Sequence, residues 1–261
     1  MRASAAAFRS RRTYQLSGYS LILVGLLLLG AAGGYLVFVQ VAKAGLDEQN
    51  VSVPLRQPEF PQSFERIDPE RLAAAGAAPR PQEGAQWRVP TPDEYMPVDW
   101  AQLPKTVGVL PQATRISIPE IGISSTMVEL DTVWEDGKLV WERPVNAVGH
   151  HLGTPNPGEA GNVVMSGHRS SPIRGEGAVF RRLGEVPGLL RESEASVDIF
   201  LYTPETIYVY RTVSTRVVEP EQGDVFRQTA EPTLTLITCT PDLVYSHRLI
   251  VTALLVATVP L

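Results

Sequence analysis

Thr233-Leu234-Thr235-Leu236-Ile237-Thr238-Cys239, an eight-residue loop closing at His247, Arg248, and then Leu249-Ile250-Val251-Thr252-Ala253-Leu254-Leu255-Val256-Ala257 form two short, apolar, β-branched runs. They read as two strands of one hairpin. Antiparallel neighbours pair directly at roughly 5 Å, so such a hairpin sets Cys239 beside Arg248 by topology alone. Working outward, the chain after Pro111 keeps this texture of short apolar runs cut by Gly, Pro, Asn and Asp. Further strands are expected at Arg115 to Pro119, Met127 to Leu130, Leu139 to Glu142, Asn162 to Ser166, Ser196 to Tyr202 and Ile207 to Val217, with a short helix at Val179 to Leu183. Eight short strands predict a mainly β, antiparallel domain over 112–261, closed as a barrel or stacked as a sandwich so that its edges are buried.

Cys239 is the only cysteine of the 261 residues, so an internal disulfide is excluded. Two readings of the thiol stay open at this point, a small buried hydrophobe and a reactive sulfur. The N-terminus bears on the choice. Residues 21–42, Leu21 to Ala42, hold no charge, and at about 1.5 Å per residue they cross a hydrocarbon core of about 30 Å. Arg2, Arg9, Arg11 and Arg12 precede the run, whereas Lys43, Asp47 and Glu48 follow it. The positive-inside bias then keeps residues 1–20 in the cytoplasm and exports the rest. Ala42-Lys43-Ala44 also fits a signal-peptide cleavage pattern, but the apolar run is longer than the usual 7 to 15 residues or so. An uncleaved anchor is the expectation.

Residues 43–111 read as a Pro-rich stalk: eleven of the twenty-two prolines fall there, with no sustained helical or strand period. Within it Trp87, Tyr95, Met96 and Trp100 are expected to find an apolar surface, either as simple packing or, over residues 83–104, as a lid on the groove. The net charge of −5 and pI near 5.5 exclude a polyanionic partner such as nucleic acid. Hydrophobic content of 44% excludes a wholly disordered chain.

His168 closes the run Asn162-Val163-Val164-Met165-Ser166-Gly167-His168, and it can meet Cys239 and Arg248 if its strand ends at the same end of the sheet. These residue types have a reason to meet. A thiolate is stabilised by a nearby imidazolium or guanidinium, the same cation steadies an oxyanion, and histidine can protonate a leaving amine.

On these residues the chain resembles the sortases, membrane-anchored bacterial cysteine transpeptidases with a Thr-Leu-x-Thr-Cys strand, a later arginine and a Gly-His strand end. The matching residues are Thr235-Leu236-Ile237-Thr238-Cys239, Arg248 and Gly167-His168, supported by Arg115 to Ile123 and by Val148-Gly149-His150 through Pro157 to Asn162. The resemblance covers about Thr114 to the C-terminus. It implies a closed eight-stranded β-barrel with short helices behind one transmembrane helix. By the same resemblance Cys239 is the nucleophile, His168 the general acid and base, and Arg248 the group that holds the sorting signal and steadies the oxyanion. Thr238 is an oxyanion contributor or mere strand filler. The implied substrate is a protein with a C-terminal LPXTG-like signal, cut between Thr and Gly through a thioester and passed to an amine of a cell-wall precursor, or of a pilin subunit in the pilin-polymerising relatives. The implied place is the plasma membrane, single-pass, with the catalytic domain outside.

The short loop between Cys239 and Arg248 looks most like class D or E, and Asp99-Trp100 lacks the proline of a pilin-class lid anchor. His150 and His151 face opposite ways in extended chain and make no two-histidine metal site, so no metal and no cofactor are expected. His247 is a rival for the acid role. A non-catalytic anchored β domain remains the alternative outside enzymes, and it predicts a buried, replaceable Cys239.

Overall fold

The computed structural model describes residues 3–58, 88–171, 175–192 and 196–261; the expected contact of Trp87 lies outside them. The chain divides into two compact units, Met1–Gly45 and Leu46–Leu261. The first is helix α1 (Ala3–Ala44). From Tyr19 onward its mean hydropathy reaches 2.4, none of that window is buried, and Leu21, Leu27 and Leu29 stand more than 60% exposed. A helix apolar on every side and buried by nothing suits a lipid surround, and it fits a single-pass membrane anchor.

The second unit holds two short edge strands, β1 (Val51–Ser52) and β2 (Met96–Pro97), followed by β3 (Arg115–Ile118), β4 (Ile123–Leu130), β5 (Thr132–Glu135) and β6 (Lys138–Trp141). Then come β7 (Val148–His151), β8 (Asn162–Ser166), helix α2 (Val186–Arg191), β9 (Asp198–Tyr202), β10 (Thr206–Val218), β11 (Thr233–Thr240) and β12 (His247–Pro260). Eight of these strands close a ring in the order β10-β9-β3-β4-β7-β8-β11-β12, with β12 pairing back onto β10. The barrel is filled by the inward residues of each strand, among them Ile116, Val163, Met165, Leu234, Leu236, Leu249 and Val251, all fully buried.

Three expectations are corrected. The strand expected at Leu139 to Glu142 does not join the barrel; it is observed as β6, which pairs only with β5 in a separate two-stranded sheet. Its place in the ring is taken by Val148–His151, too short and too rich in Gly and His to look like a strand. The barrel is also not purely antiparallel, because β4 with β7 and β8 with β11 are parallel pairs. The short helix expected at Val179 to Leu183 lies slightly later, as a 3-10 turn over Arg181–Glu185 running into α2.

The described parts of the expected stalk are built into the barrel. β10 is 13 residues long and β9 only five, so the second half of β10 would be left as an open edge. The chain just after α1 covers it: β1 pairs with Ser214 and Thr215, Val53 N–H donates to Val213 O at 2.8 Å, and Val217 N–H donates to the Asn50 side chain at 2.8 Å. Farther on, Tyr95 is 2% exposed against Phe200, β2 pairs with Ala257 and Thr258, and the Trp100 indole donates to Leu255 O at 2.8 Å. Leu255 lies seven residues along β12 from Arg248, about 23 Å at strand spacing. The described aromatics therefore pack as an edge strap at the far end of β12 and do not lie over the site.

A carboxylate anchors the same strap. Glu159 is fully buried, and its two oxygens accept the backbone N–H groups of Gly108, Val109, Leu110 and Asn156 at 2.7 to 2.9 Å. Proline in these segments removes no needed donor, because they run along sheet edges.

Candidate active site

Alternation fixes which side chains face out. On β8, Val163 and Met165 point into the core, so Ser166 points outward; on β11, Leu234 and Leu236 point in, so Ile237 and Cys239 point out; on β12, Leu249 and Val251 point in, so Arg248 and Ile250 point out. Cys239 and Arg248 are direct partners across β11 and β12. The parallel pair β8–β11 aligns Ser166 with Ile237, and continuing that register by two residues brings His168 opposite Cys239. By this register the backbone positions of His168, Cys239 and Arg248 fall in a row at the rim, and one step along the strands lies an outward row Ser166, Ile237, Ile250.

The strand ends are locked to each other. Gly167 N–H donates to Ile237 O at 3.1 Å, Phe180 N–H donates to His168 O at 2.9 Å, and the Thr238 hydroxyl donates to Gly167 O at 2.9 Å. Position 167 must be glycine, since a Cβ there would stand 2.7 Å from the buried Phe180 ring. Thr238 is 2% exposed and its hydroxyl donates to Gly167 O, so in this structure the hydroxyl ties the histidine strand to the cysteine strand.

Cys239 is partly exposed and free. Arg248 Nη1 donates to the carbonyls of Tyr245 and His247 at 3.3 and 3.1 Å, which holds the guanidinium back over its own loop. His168 is mostly buried; its Nε2 has no hydrogen-bond partner and lies 3.6 Å from Glu176 Oε2. His247 turns elsewhere, its Nδ1 to the Ser246 hydroxyl at 2.8 Å and its Nε2 to Glu219 at 3.3 Å.

The loop between Cys239 and Arg248 is fastened to the loop after His168. The Ser170 hydroxyl donates to Asp242 at 3.1 Å and also meets the Tyr245 hydroxyl, while Arg169 Nε stands 3.9 Å from Asp242. Leu243 and Tyr245 hold left-handed backbone at φ of 62° and 56°, a costly conformation for bulky residues. Glu176 and the Ser170–Asp242–Tyr245 contacts had no signal in the sequence, because each is made between loops about 70 residues apart or through a turn of irregular chain.

Beside the row lies a trough of about 280 Å³, lined by Ser166, Ile237, Ile250 and Arg248, by Val218 to Gly223 with Val225 and Phe226, and by His151 and Trp141; of the three row residues Arg248 alone lines it. Trp141 stacks on Phe226 at 5.6 Å, and His151 meets both rings edge-on at 4.5 and 5.0 Å. Burial, and then the neighbouring His150, hold the His151 imidazole down to about 4, so it is neutral near pH 7. His150 is likewise lowered by burial and bonds Pro155 O and the Thr154 hydroxyl, a structural role. A wider cleft of about 580 Å³ between β4 and the β5–β6 hairpin shares only Trp141 with the trough and holds none of Cys239, His168 or Arg248. Among the described residues no cluster of three His, Cys, Asp or Glu side chains could hold a metal.

Fold and geometry define a class: a closed β-barrel carrying an outward thiol beside an arginine, with a histidine just past the end of the neighbouring parallel strand. The family model described as the sortase domain matches residues 116–256, more than half of the chain. The chain belongs to the sortase family. Solved structures similar to it include a Clostridium perfringens sortase D5 transpeptidase, 29% identical, covering 55% of this chain and 78% of that one with a TM-score of 0.41. They also include sortase C-1 of Actinomyces oris, 27% identical over 57% and 75% of the two chains with a TM-score of 0.41. Sortase C1 of Streptococcus agalactiae is 24% identical, and the match spans 54% of this chain and 66% of that one with a TM-score of 0.40. No curated protein matches.

Proposed function

We propose that this protein is a cysteine transpeptidase that joins proteins bearing an LPXTG-like sorting signal to an amine of a cell-wall precursor, in the anchoring manner of class D or E. The observation that carries the reading is the row His168, Cys239, Arg248 at one end of a parallel and an antiparallel strand pair, with a trough beside it. An extended signal laid in that trough brings its threonine carbonyl to Cys239. The thiolate attacks, the Sγ–C bond forms, and Arg248 faces the oxygen that gains charge. As the C–N bond breaks, His168 gives its proton to the departing glycine amine, leaving a thioester and neutral imidazole. The acceptor amine then loses a proton to His168 and replaces the sulfur. Thr238 supports this row by holding its two strand ends together.

Residues 1–20 are proposed as cytoplasmic, 21–42 as the plasma-membrane span and 112–261 as the catalytic domain outside, with the described residues 46–58 and 88–111 serving as its edge strap. The test is incubation of the full chain in detergent micelles with fluorogenic Leu-Pro-x-Thr-Gly and Leu-Ala-x-Thr-Gly peptides and an amine acceptor. Cleavage of at least one peptide, lost in Cys239→Ala, is expected. No cleavage of any peptide, together with no alkylation of Cys239, would sink the reading and leave a wall- or protein-binding β domain.

A further inference from the structure

We propose that Glu176 is a positioning residue for His168: its carboxylate holds the Nε2 side of the imidazole and so fixes the orientation of the ring that acts as general acid. The inference rests on the transpeptidase reading above and assigns the side chain that orients its general acid. Three observations meet here. His168 Nε2 is buried and lacks any hydrogen-bond partner, which is costly for a ring nitrogen unless a partner closes on it. Glu176 Oε2 is the carboxylate oxygen facing that nitrogen, at 3.6 Å, and both side chains are about four-fifths buried, so the attraction is little screened. Glu176 is itself held in place, because its Oε2 accepts the Ser171 hydroxyl at 2.9 Å and its backbone carbonyl accepts the Asn146 N–H at 2.9 Å.

The distance is somewhat longer than a hydrogen bond, and a small ring rotation closes it, as expected of catalytic contacts that tighten only with substrate bound. With Nε2–H directed at Glu176, the other ring nitrogen, Nδ1, is the atom left to give a proton to the leaving amine and later to take one from the acceptor. Other charged groups near this corner are Arg169, whose Nε faces Asp242, Arg248, which faces the loop carbonyls, and Arg143, which pairs with Glu135 and also feels the Glu176 charge. None of these contacts involves the His168 nitrogen. The logic is that of a base oriented by a third group, here supplied by the loop after the histidine strand.

The experiment compares the parent with Glu176→Gln and Glu176→Asp in the full chain in micelles. Glu176→Gln keeps the shape and the Ser171 contact but removes the charge; kcat for peptide cleavage is expected to fall about tenfold, with KM and thermal midpoint unchanged, a fraction of the roughly hundredfold or more that a general acid supplies. Glu176→Asp is expected to recover several-fold of that loss. A merely structural glutamate predicts the reverse pattern, with Gln tolerated and any loss seen in KM or melting. Retention of kcat within twofold in Glu176→Gln, or no advantage of Asp over Gln, overturns the proposal. If the parent cleaves no peptide, the function reading fails on its own. The Glu176 proposal is then decided by iodoacetamide alkylation of Cys239 at pH 7: slower in Glu176→Gln supports it, and unchanged overturns it.

Discussion

Replacing Thr238 by Val removes one hydroxyl from a site 2% exposed and keeps its shape. In the fold that hydroxyl donates to Gly167 O at 2.9 Å, across the parallel seam that sets His168 against Cys239. The lost bond leaves a buried carbonyl short of a partner, at a cost of about 1–2 kcal/mol. For a unit of this size that corresponds to a fall in Tm of about 3–6 °C. A second effect follows from place: Gly167 immediately precedes His168, so loosening this tie lets the imidazole drift from the thiol, and peptide cleavage is expected to slow several-fold. Thr238→Ser, which restores the hydroxyl, should recover most of both. Calorimetry and peptide cleavage on the same preparations decide it. A Thr238→Val protein that melts like the parent but has lost kcat would refute the tie and return the hydroxyl to an oxyanion role. Parental behaviour in both assays would reduce it to strand filler.

Glu159→Gln sets an amide NH2 against two of the four backbone N–H groups that the carboxylate now accepts, and a loss of about 2–4 kcal/mol is expected, seen as a lower calorimetric midpoint. An unchanged midpoint would mean that residues 108–110 are held by something else. The pH prediction concerns His151, whose folded value of about 4 lies below its ordinary 6.5. The unfolded chain therefore binds a proton that the folded one refuses, so stability is full above about pH 6.5 and declines as pH falls toward 4, by up to about 3 kcal/mol. His150, lowered in the same direction, adds to the slope. Urea midpoints between pH 7 and 4 should fall less steeply in His151→Phe, which keeps the aromatic contacts with Trp141 and Phe226. Parallel curves for the two proteins would show that this imidazole is not the titrating group.

Some of the site was legible because it is local. Cys239 and Arg248 flank one short loop, so antiparallel pairing alone makes them neighbours, and the alternation of β11 and β12 puts both on the outer face. The apolar run of α1 was legible for a similar reason, since length and hydropathy are properties of consecutive residues. The misread elements depend on what lies beside them. Leu139 to Trp141 carries the pattern of a barrel strand but pairs with its own neighbour β5, whereas Val148–His151 carries almost no pattern and is a full ring member because β4 and β8 flank it. The proline-rich stretches looked like a stalk since nothing in their spacing shows that β10 leaves an edge open or that Glu159 waits for three consecutive N–H groups.

The sequence by itself determined the long apolar helix, seven of the eight barrel strands, the identity of the thiol and its arginine neighbour. Only the tertiary structure decided that the strand leading to His168 ends at the rim where Cys239 and Arg248 stand. Between the end of β8 at Ser166 and the start of β11 at Thr233 lie 66 residues, and the two strands could have paired either way. Parallel pairing ends both strands at the same rim, and antiparallel pairing would have sent His168 to the opposite one. That direction is set by how the intervening α2, β9 and β10 close the barrel, a choice made by burial of the whole core and carried by no local run of residues.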